Sequence, residues 1–169
     1  MSEYLIISGT NRKDSHTEIV ANEYLRFLTN KSISASILSL KDLNVLERNE
    51  GFLKVEAKFL IPADKFIFIL PEYNGSYPGV VKAMIDISDV KKCFWWKKAL
   101  LTGVSTGRAG NLRGMDQITG CLNHIKVFVH PNKLPLSVID TILNEKKVFA
   151  DEGHTFKAID QQIEEFIKF

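Results

Sequence analysis

The sequence is poor in the features that mark secreted, membrane-spanning or disordered chains. Its 169 residues include only two cysteines, Cys93 and Cys121. Two thiols make no disulfide framework, and their spacing fits no zinc pattern. Free thiols suit a reducing compartment. No stretch approaches the ~18 consecutive apolar residues of a membrane span. The start, MSEYLIISGT, is acidic rather than basic, and its apolar run is short for a signal peptide. A cytoplasmic protein with no membrane partner is expected. Charge excess is also lacking: 22 Lys and Arg face 20 Asp and Glu, a net +2, which argues against a dedicated nucleic-acid binder. Five prolines and ten glycines exclude collagen-like and low-complexity chains. There is no internal repeat and no linker-like stretch, so residues 1–169 are expected to form one domain. A chain of this length buries roughly 70% of its unfolded surface.

What is present is an alternation. Short apolar runs occur at Tyr4–Ser8, Ile33–Leu38, Phe66–Leu70, Ala99–Val104 and Ile125–Val129. Most are apolar on both faces, as parallel strands covered on both sides read. Between them lie helical patterns at Thr17–Thr29, Phe52–Leu60, Gly79–Ser88, Asn111–Leu122 and Thr155–Phe169. In the first, Val20, Tyr24, Phe27 and Leu28 share one face. Residues 131–135 read as a loop, with a small helix possible after it. Strands alternating with helices predict βαβ units. The expected fold is α/β: a flavodoxin-like, doubly wound, five-stranded parallel sheet of order 2-1-3-4-5 in three α/β/α layers.

Ligands of such sheets bind outside the carboxyl ends of the strands, at the switch point. That rule selects three loops. The first, Gly9–His16, leads into a helix with hydroxyls at Thr10, Ser15 and Thr17 and charge at Arg12 and Lys13. Those groups and the helix N-terminus would hold a phosphate. Ser15-His16-Thr17-Glu18 also reads as a capping box, which explains Ser15 and Glu18 without any ligand. The second, Pro71–Pro78, holds Tyr73, Tyr77 and the turn signal Asn74-Gly75. Its tyrosines would either face a flat ligand or pack as a lid on the core. The third, Ser105–Asn111, carries Gly107 and Gly110, which either admit a ligand to the backbone or make a turn. Gly103-Val104-Ser105-Thr106-Gly107 formally matches a hydrolase nucleophile elbow, with Asp140 and His154 following in hydrolase order. Gly107 and Gly110 delay the helix that an elbow needs, and no oxyanion segment precedes it.

Taken together the loops resemble the NADPH-dependent FMN reductase family, flavodoxin-like flavoproteins that include quinone, chromate and azo-dye reductases. The resemblance spans roughly residues 3–125. Its most specific stretch, Pro71-Glu72-Tyr73-Asn74-Gly75-Ser76-Tyr77-Pro78-Gly79-Val80-Val81-Lys82, is similar to the family's P-E-Y-N-x-S-x-P-G-x-L-K segment. The resemblance implies that Thr10, Asn11, Arg12, Ser15, His16 and Thr17 hold the FMN phosphate. It implies that Pro71, Glu72, Tyr73, Asn74 and Gly75 line the isoalloxazine, and that Ser105, Thr106, Gly107 and Gly110 bound its other side. This chain departs from the family at Asn111, where paired glycines are common, so Asn111 is expected to crowd the ring or the nicotinamide. It also has Ala83 and Ile87 where the family often has an amide and a tryptophan.

The implied activity is hydride transfer from NADPH, or NADH, through FMN to a flavin, quinone or similar small acceptor. The flavin carries the chemistry, so no catalytic side chain is assigned. Arg108 and Arg113 would attract a 2′-phosphate or remain solvated. One rival is a flavodoxin-type electron carrier without turnover, although such carriers tend to be acidic. A receiver-type signalling domain would need an aspartate ending the third strand, where this chain has Pro71-Glu72. Lys91–Lys98 interleaves lysines with Phe94, Trp95 and Trp96 and is expected to be a solvated turn with its rings packed inside or at a subunit contact. His124, His130 and His154 show no metal-ligand spacing. A homodimer or homotetramer is expected, with Tyr73, Tyr77, Phe94, Trp95 and Trp96 near the flavin face.

Overall fold

The computed structural model describes residues 4–144, 149 and 153–169. A parallel sheet forms in the order β2-β1-β3-β4-β5, the expected doubly wound order. Its strands are β1 Tyr4–Ser8, β2 Ala35–Ser39, β3 Lys65–Pro71, β4 Lys98–Val104, β5 Phe128–Val129 and β6 Leu134–Leu136. The helices are α1 His16–Asn30, α2 Glu50–Val55, which continues as a π-helical turn over Glu56–Leu60, then α3 Gly79–Ile87, α4 Val90–Cys93, α5 Leu112–His124 and α6 His154–Lys168.

Side-chain alternation along the strands makes two cores. Leu5, Ile7, Phe66, Phe68 and Leu101 pack against Phe52 of α2, Met84 of α3 and Ile118 of α5. Tyr4, Ile6, Ile67, Ile69 and Leu100 pack against Tyr24 of α1 and Ile163 of α6. All seven residues of β3 are buried, which explains its unbroken apolar run. A polar knot sits inside the second core, where Tyr24, Thr102 and Gln162 share hydrogen bonds. It joins α1, β4 and α6, and burial raises the Tyr24 phenol above its ordinary pKa. Lys65 Nζ donates to the carbonyls of Phe166 and Ile167, a cation at the α6 C-terminus where the helix dipole favours one.

The fifth strand differs from expectation. Residues 125–127 turn rather than extend: Ile125 closes α5, and Lys126 takes a left-handed φ of 62°. The strand starts at Phe128, breaks at 130–133, and resumes as β6 in the stretch expected to be loop. β5 pairs with the start of β4 and β6 with its end, Gly103 opposite Pro135. The small helix expected next is the 3-10 turn Ile139–Thr141.

The aromatic residues also part company. Phe94 is fully buried and Tyr77 packs against the core. Trp96 and Phe128 are exposed, with ring centroids 6.1 Å apart. They precede β4 and begin β5, at the amino end of the sheet, whereas Tyr73 follows β3 at the carboxyl end. The aromatic groups expected near one face thus lie at opposite ends of the strands. Among the described residues no helix is long and apolar enough to cross a membrane.

Candidate functional site

The site is built where the three selected loops leave β1, β3 and β4. Ser15 caps α1: its backbone is extended and its Oγ accepts from the Thr17 N–H at 3.1 Å. The cap is made to Thr17 rather than to Glu18 as the expected capping box requires, and the Glu18 N–H donates to the Ser15 carbonyl at 3.0 Å instead. Thr10 is 2% exposed. Its Oγ1 accepts from the Arg12 N–H at 3.1 Å and hydrogen-bonds the Tyr73 hydroxyl. Thr10 therefore ties the first loop to the second. The Arg12 guanidinium lies over the Tyr73 ring, 4.0 Å from its centroid, a cation–π contact that fixes a positive charge beside α1.

In the second loop Tyr73 and Ser76 exchange backbone hydrogen bonds of 2.9 and 3.1 Å around Asn74 and Gly75, whose φ values are 53° and 76°. Two consecutive left-handed residues make a type I′ hairpin turn, which Asn-Gly favours. Pro71 and Glu72 join this hairpin to β3, and the Glu72 N–H donates to the Val104 carbonyl at 3.0 Å.

The third loop closes tightly on β4. A Cβ at Gly103 would lie 1.9 Å from the Gly110 carbonyl oxygen, and one at Gly110 would lie 2.5 Å from Pro135 Cβ. Both glycines are demanded by this close packing, and Gly110 also has a left-handed φ of 54°. Gly107 has open space around it. Ser105 Oγ donates to the Gly107 carbonyl at 2.8 Å and accepts from the Gly110 N–H at 3.1 Å. Its hydroxyl is spent on the loop, and Asp140 faces His16 at 3.5 Å. The nucleophile, acid and base of a hydrolase are not assembled here.

Asn111 does not crowd the cleft. It is fully buried, with a left-handed φ of 61°. Its Nδ2 donates to the carbonyls of Leu70 and Pro71, both at 3.0 Å, and its N–H donates to Glu72 Oε2 at 3.2 Å. The side chain reaches under the second loop and pins α5 to the end of β3.

Two adjoining clefts result. One, of about 250 Å³, is walled by Arg12 to Thr17 on one side, Pro71 to Tyr73 on another, and Val104 to Thr106 with Ile139. The other, of about 310 Å³, is walled by Glu72, Asn74, Gly75 and the 105–109 segment. Glu72, Ser105 and Thr106 belong to both walls, so the two clefts are neighbours. Of the residues expected to bind a ligand, Thr10, Asn11 and Gly110 stand outside these walls, while the others line them. Sequence reading missed Ile139 and the Asp140 contact, because nothing local marks the 3-10 turn as a neighbour of α1. Backbone bonds bring it there: Ile139 N–H to the Ser105 carbonyl at 3.0 Å and Val138 N–H to the Gly107 carbonyl at 2.9 Å.

The two clefts fit a phosphorylated flat cofactor. The first offers a capped helix N-terminus, a held guanidinium, Lys13 and His16, all suited to a phosphate. The second is open and walled by backbone and a glycine-bearing turn. Sheet order defines a flavodoxin-like protein, and the clefts lie at its switch point, where such sheets take their ligands. The chain belongs to the NADPH-dependent FMN reductase family, whose model matches residues 3–139. It is an oxidoreductase of that type, with FMN as cofactor and NAD(P)H as electron donor. An NAD(P)H-dependent FMN reductase of Pseudomonas aeruginosa is 27% identical over 146 residues, 82% of this chain and 77% of that one. The fold is shared with FerB, a flavoenzyme NAD(P)H:(acceptor) oxidoreductase of Paracoccus denitrificans. The TM-score is 0.79 at 21% identity, over 99% of this chain and 96% of that one. An azoreductase of Bacillus anthracis aligns at TM-score 0.64 and 13% identity, with both chains fully covered.

Proposed function

We propose that this protein passes a hydride from NADPH, through FMN held in the switch-point cleft, to a small acceptor such as a free flavin or a quinone. The observation that carries the reading is the pair of adjoining clefts, one at the α1 N-terminus and one at the Asn74-Gly75 hairpin, with Glu72, Ser105 and Thr106 in both walls. FMN, when bound, supplies the hydride chemistry. The residues supply binding and orientation. Arg12, held over Tyr73, gives the phosphate a fixed charge. Ser15 caps α1 so that His16 and Thr17 present the start of the helix to it. Thr10 and Asn11 set the shape of the approach. Pro71, Glu72, Tyr73, Asn74 and Gly75 face one side of the ring, and Ser105, Thr106 and Gly107 the other, with Gly110 letting that loop close. Donor and acceptor share one open face in turn. We also infer a homodimer or homotetramer working in the cytoplasm.

The fold alone does not separate an enzyme from a carrier, since an archaeal flavodoxin aligns over the whole chain at TM-score 0.61. Two measurements do. Freshly purified protein should show flavin absorbance, or acquire it on titration with FMN; failure to take up FMN would overturn the reading. Steady-state NADPH oxidation with a quinone or free flavin should then proceed over many turnovers. A flavin-loaded protein that does not turn over is a carrier.

A further inference from the structure

Two guanidinium groups stand near the Asn74-Gly75 hairpin. Arg108 forms part of the wall of the second cleft, beside Asn74 and Gly75. Arg113, in the first turn of α5, brings an Nη1 to 4.0 Å from where a Cβ on Gly75 would sit. Both side chains are exposed. Among the described residues neither enters an ion pair, whereas Arg26, Arg48, Lys31, Lys82 and Lys133 each have a carboxylate partner. The first turn of α5 carries no acid to offset them. Glu72, the acid of the second cleft's wall, is engaged with the Asn111 N–H.

Two guanidinium charges near one hairpin exceed the single carboxylate, Glu72, in the second cleft's wall, and the surplus positive charge favours an anion. The flavin's own phosphate is served in the first cleft. The second anion therefore belongs to the second ligand. Of the two donor nucleotides, only NADPH carries a phosphomonoester, close to a dianion at neutral pH. Arginine forks suit it, since they bind phosphate oxygens two at a time. We propose that Arg108 and Arg113 bind the 2′-phosphate of the donor and set a preference for NADPH over NADH. The proposal rests on the reading of this cleft as the reductase site.

The test compares the wild type with the double variant Arg108→Ala/Arg113→Ala and with Arg108→Lys/Arg113→Lys. In FMN-loaded protein, the alanine variant should raise KM for NADPH by about 10-fold or more, leave KM for NADH within about twofold, and leave FMN affinity unchanged. The lysine variant should restore part of the discrimination. Calorimetry supplies a readout that needs no turnover. Adenosine 2′,5′-bisphosphate should bind the wild type more tightly than AMP does, and the alanine variant should lose that difference. Equal loss for NADPH and NADH, or bisphosphate binding unaffected by the alanines, would overturn the proposal. A wild type that takes no FMN would sink the proposed function instead, and the bisphosphate titration would still decide the arginines.

Discussion

The Arg12 guanidinium lies 4.0 Å from the centroid of the Tyr73 ring. This contact joins the first and second loops in the wall of the first cleft, and Thr10 supports it through the Tyr73 hydroxyl. Arg12 is thus held in place before any ligand arrives. Arg12→Ala should weaken FMN by roughly 10- to 150-fold, the loss of one charge-assisted contact of about 1.5–3 kcal/mol. Riboflavin, which lacks the phosphate, should lose far less. Parallel fluorescence titrations of apoprotein check this; equal losses would show that Arg12 does not read the phosphate. Tyr73→Phe keeps the ring and should retain most of the affinity.

Ser105→Ala removes two hydrogen bonds that brace the third loop. We expect a stability loss of about 1–2 kcal/mol, near the usual worth of such bonds, measured as a lower urea midpoint. We also expect no labelling of Ser105 by a fluorophosphonate and no esterase activity in the parent protein. Covalent labelling at Ser105 would revive the hydrolase reading.

Asn111→Ala should be more harmful, at about 2–4 kcal/mol. It strips the Leu70 and Pro71 carbonyls of their shared donor inside the protein and places alanine in a left-handed conformation that asparagine tolerates better. Denaturant unfolding would show it. A variant as stable as the parent would mean that the amide does not pin α5 to β3.

Glu56 connects three segments. Its carboxylate accepts from Arg48 and from the Asp89 N–H at 2.7 Å. Burial pushes its pKa up, but the Arg48 hydrogen bond and the Asp89 N–H outweigh that and leave it below the ordinary value of 4.5. A carboxyl depressed on folding contributes stability above its unfolded pKa and loses it as pH falls through the folded one. Glu56→Gln should therefore cost stability at pH 7, with the gap to the parent narrowing below about pH 4.5. Thermal melts at both pH values test this, and a gap that widens on acidification would contradict it.

Trp96 and Phe128 stand at the amino end of the sheet, away from the cleft. Trp96→Ala should leave FMN affinity unaltered. Sedimentation equilibrium of the parent and variant then asks whether this exposed pair belongs to a subunit contact. Sedimentation of the parent as a 19.2 kDa species at all concentrations would rule out the homo-oligomer.

The sheet order was legible because the runs of β1, β3 and β4 are apolar on both faces and lead into loops that hold Gly, Pro or Asn, while the β2 run alternates with serines. The fifth strand was not legible. Ile125 and Val127 look like strand residues, yet Ile125 finishes a helix and Lys126 turns the chain, while Leu134-Pro135-Leu136 was hidden by its proline. The position of the cleft followed from topology, but individual roles within it depended on contacts remote in sequence. A polar residue after a glycine reads as exposed, and Asn111 is buried because two strand-end carbonyls need a donor. His16 meets Asp140 only through the 3-10 turn. Loops at the two ends of a strand look alike in sequence, which is why Tyr73 and Trp96 were grouped together.

The broken fifth strand also bears on how this molecule avoids its own kind. An outer strand presents unpaired backbone groups that can recruit a second sheet. Here that margin is split into a two-residue and a three-residue piece, and Pro135 has no N–H to offer a newcomer. No long, regular ladder is left on that side for a neighbouring chain to extend. The same proline that fits against Gly110 beside the cleft thereby guards the sheet's border against aggregation.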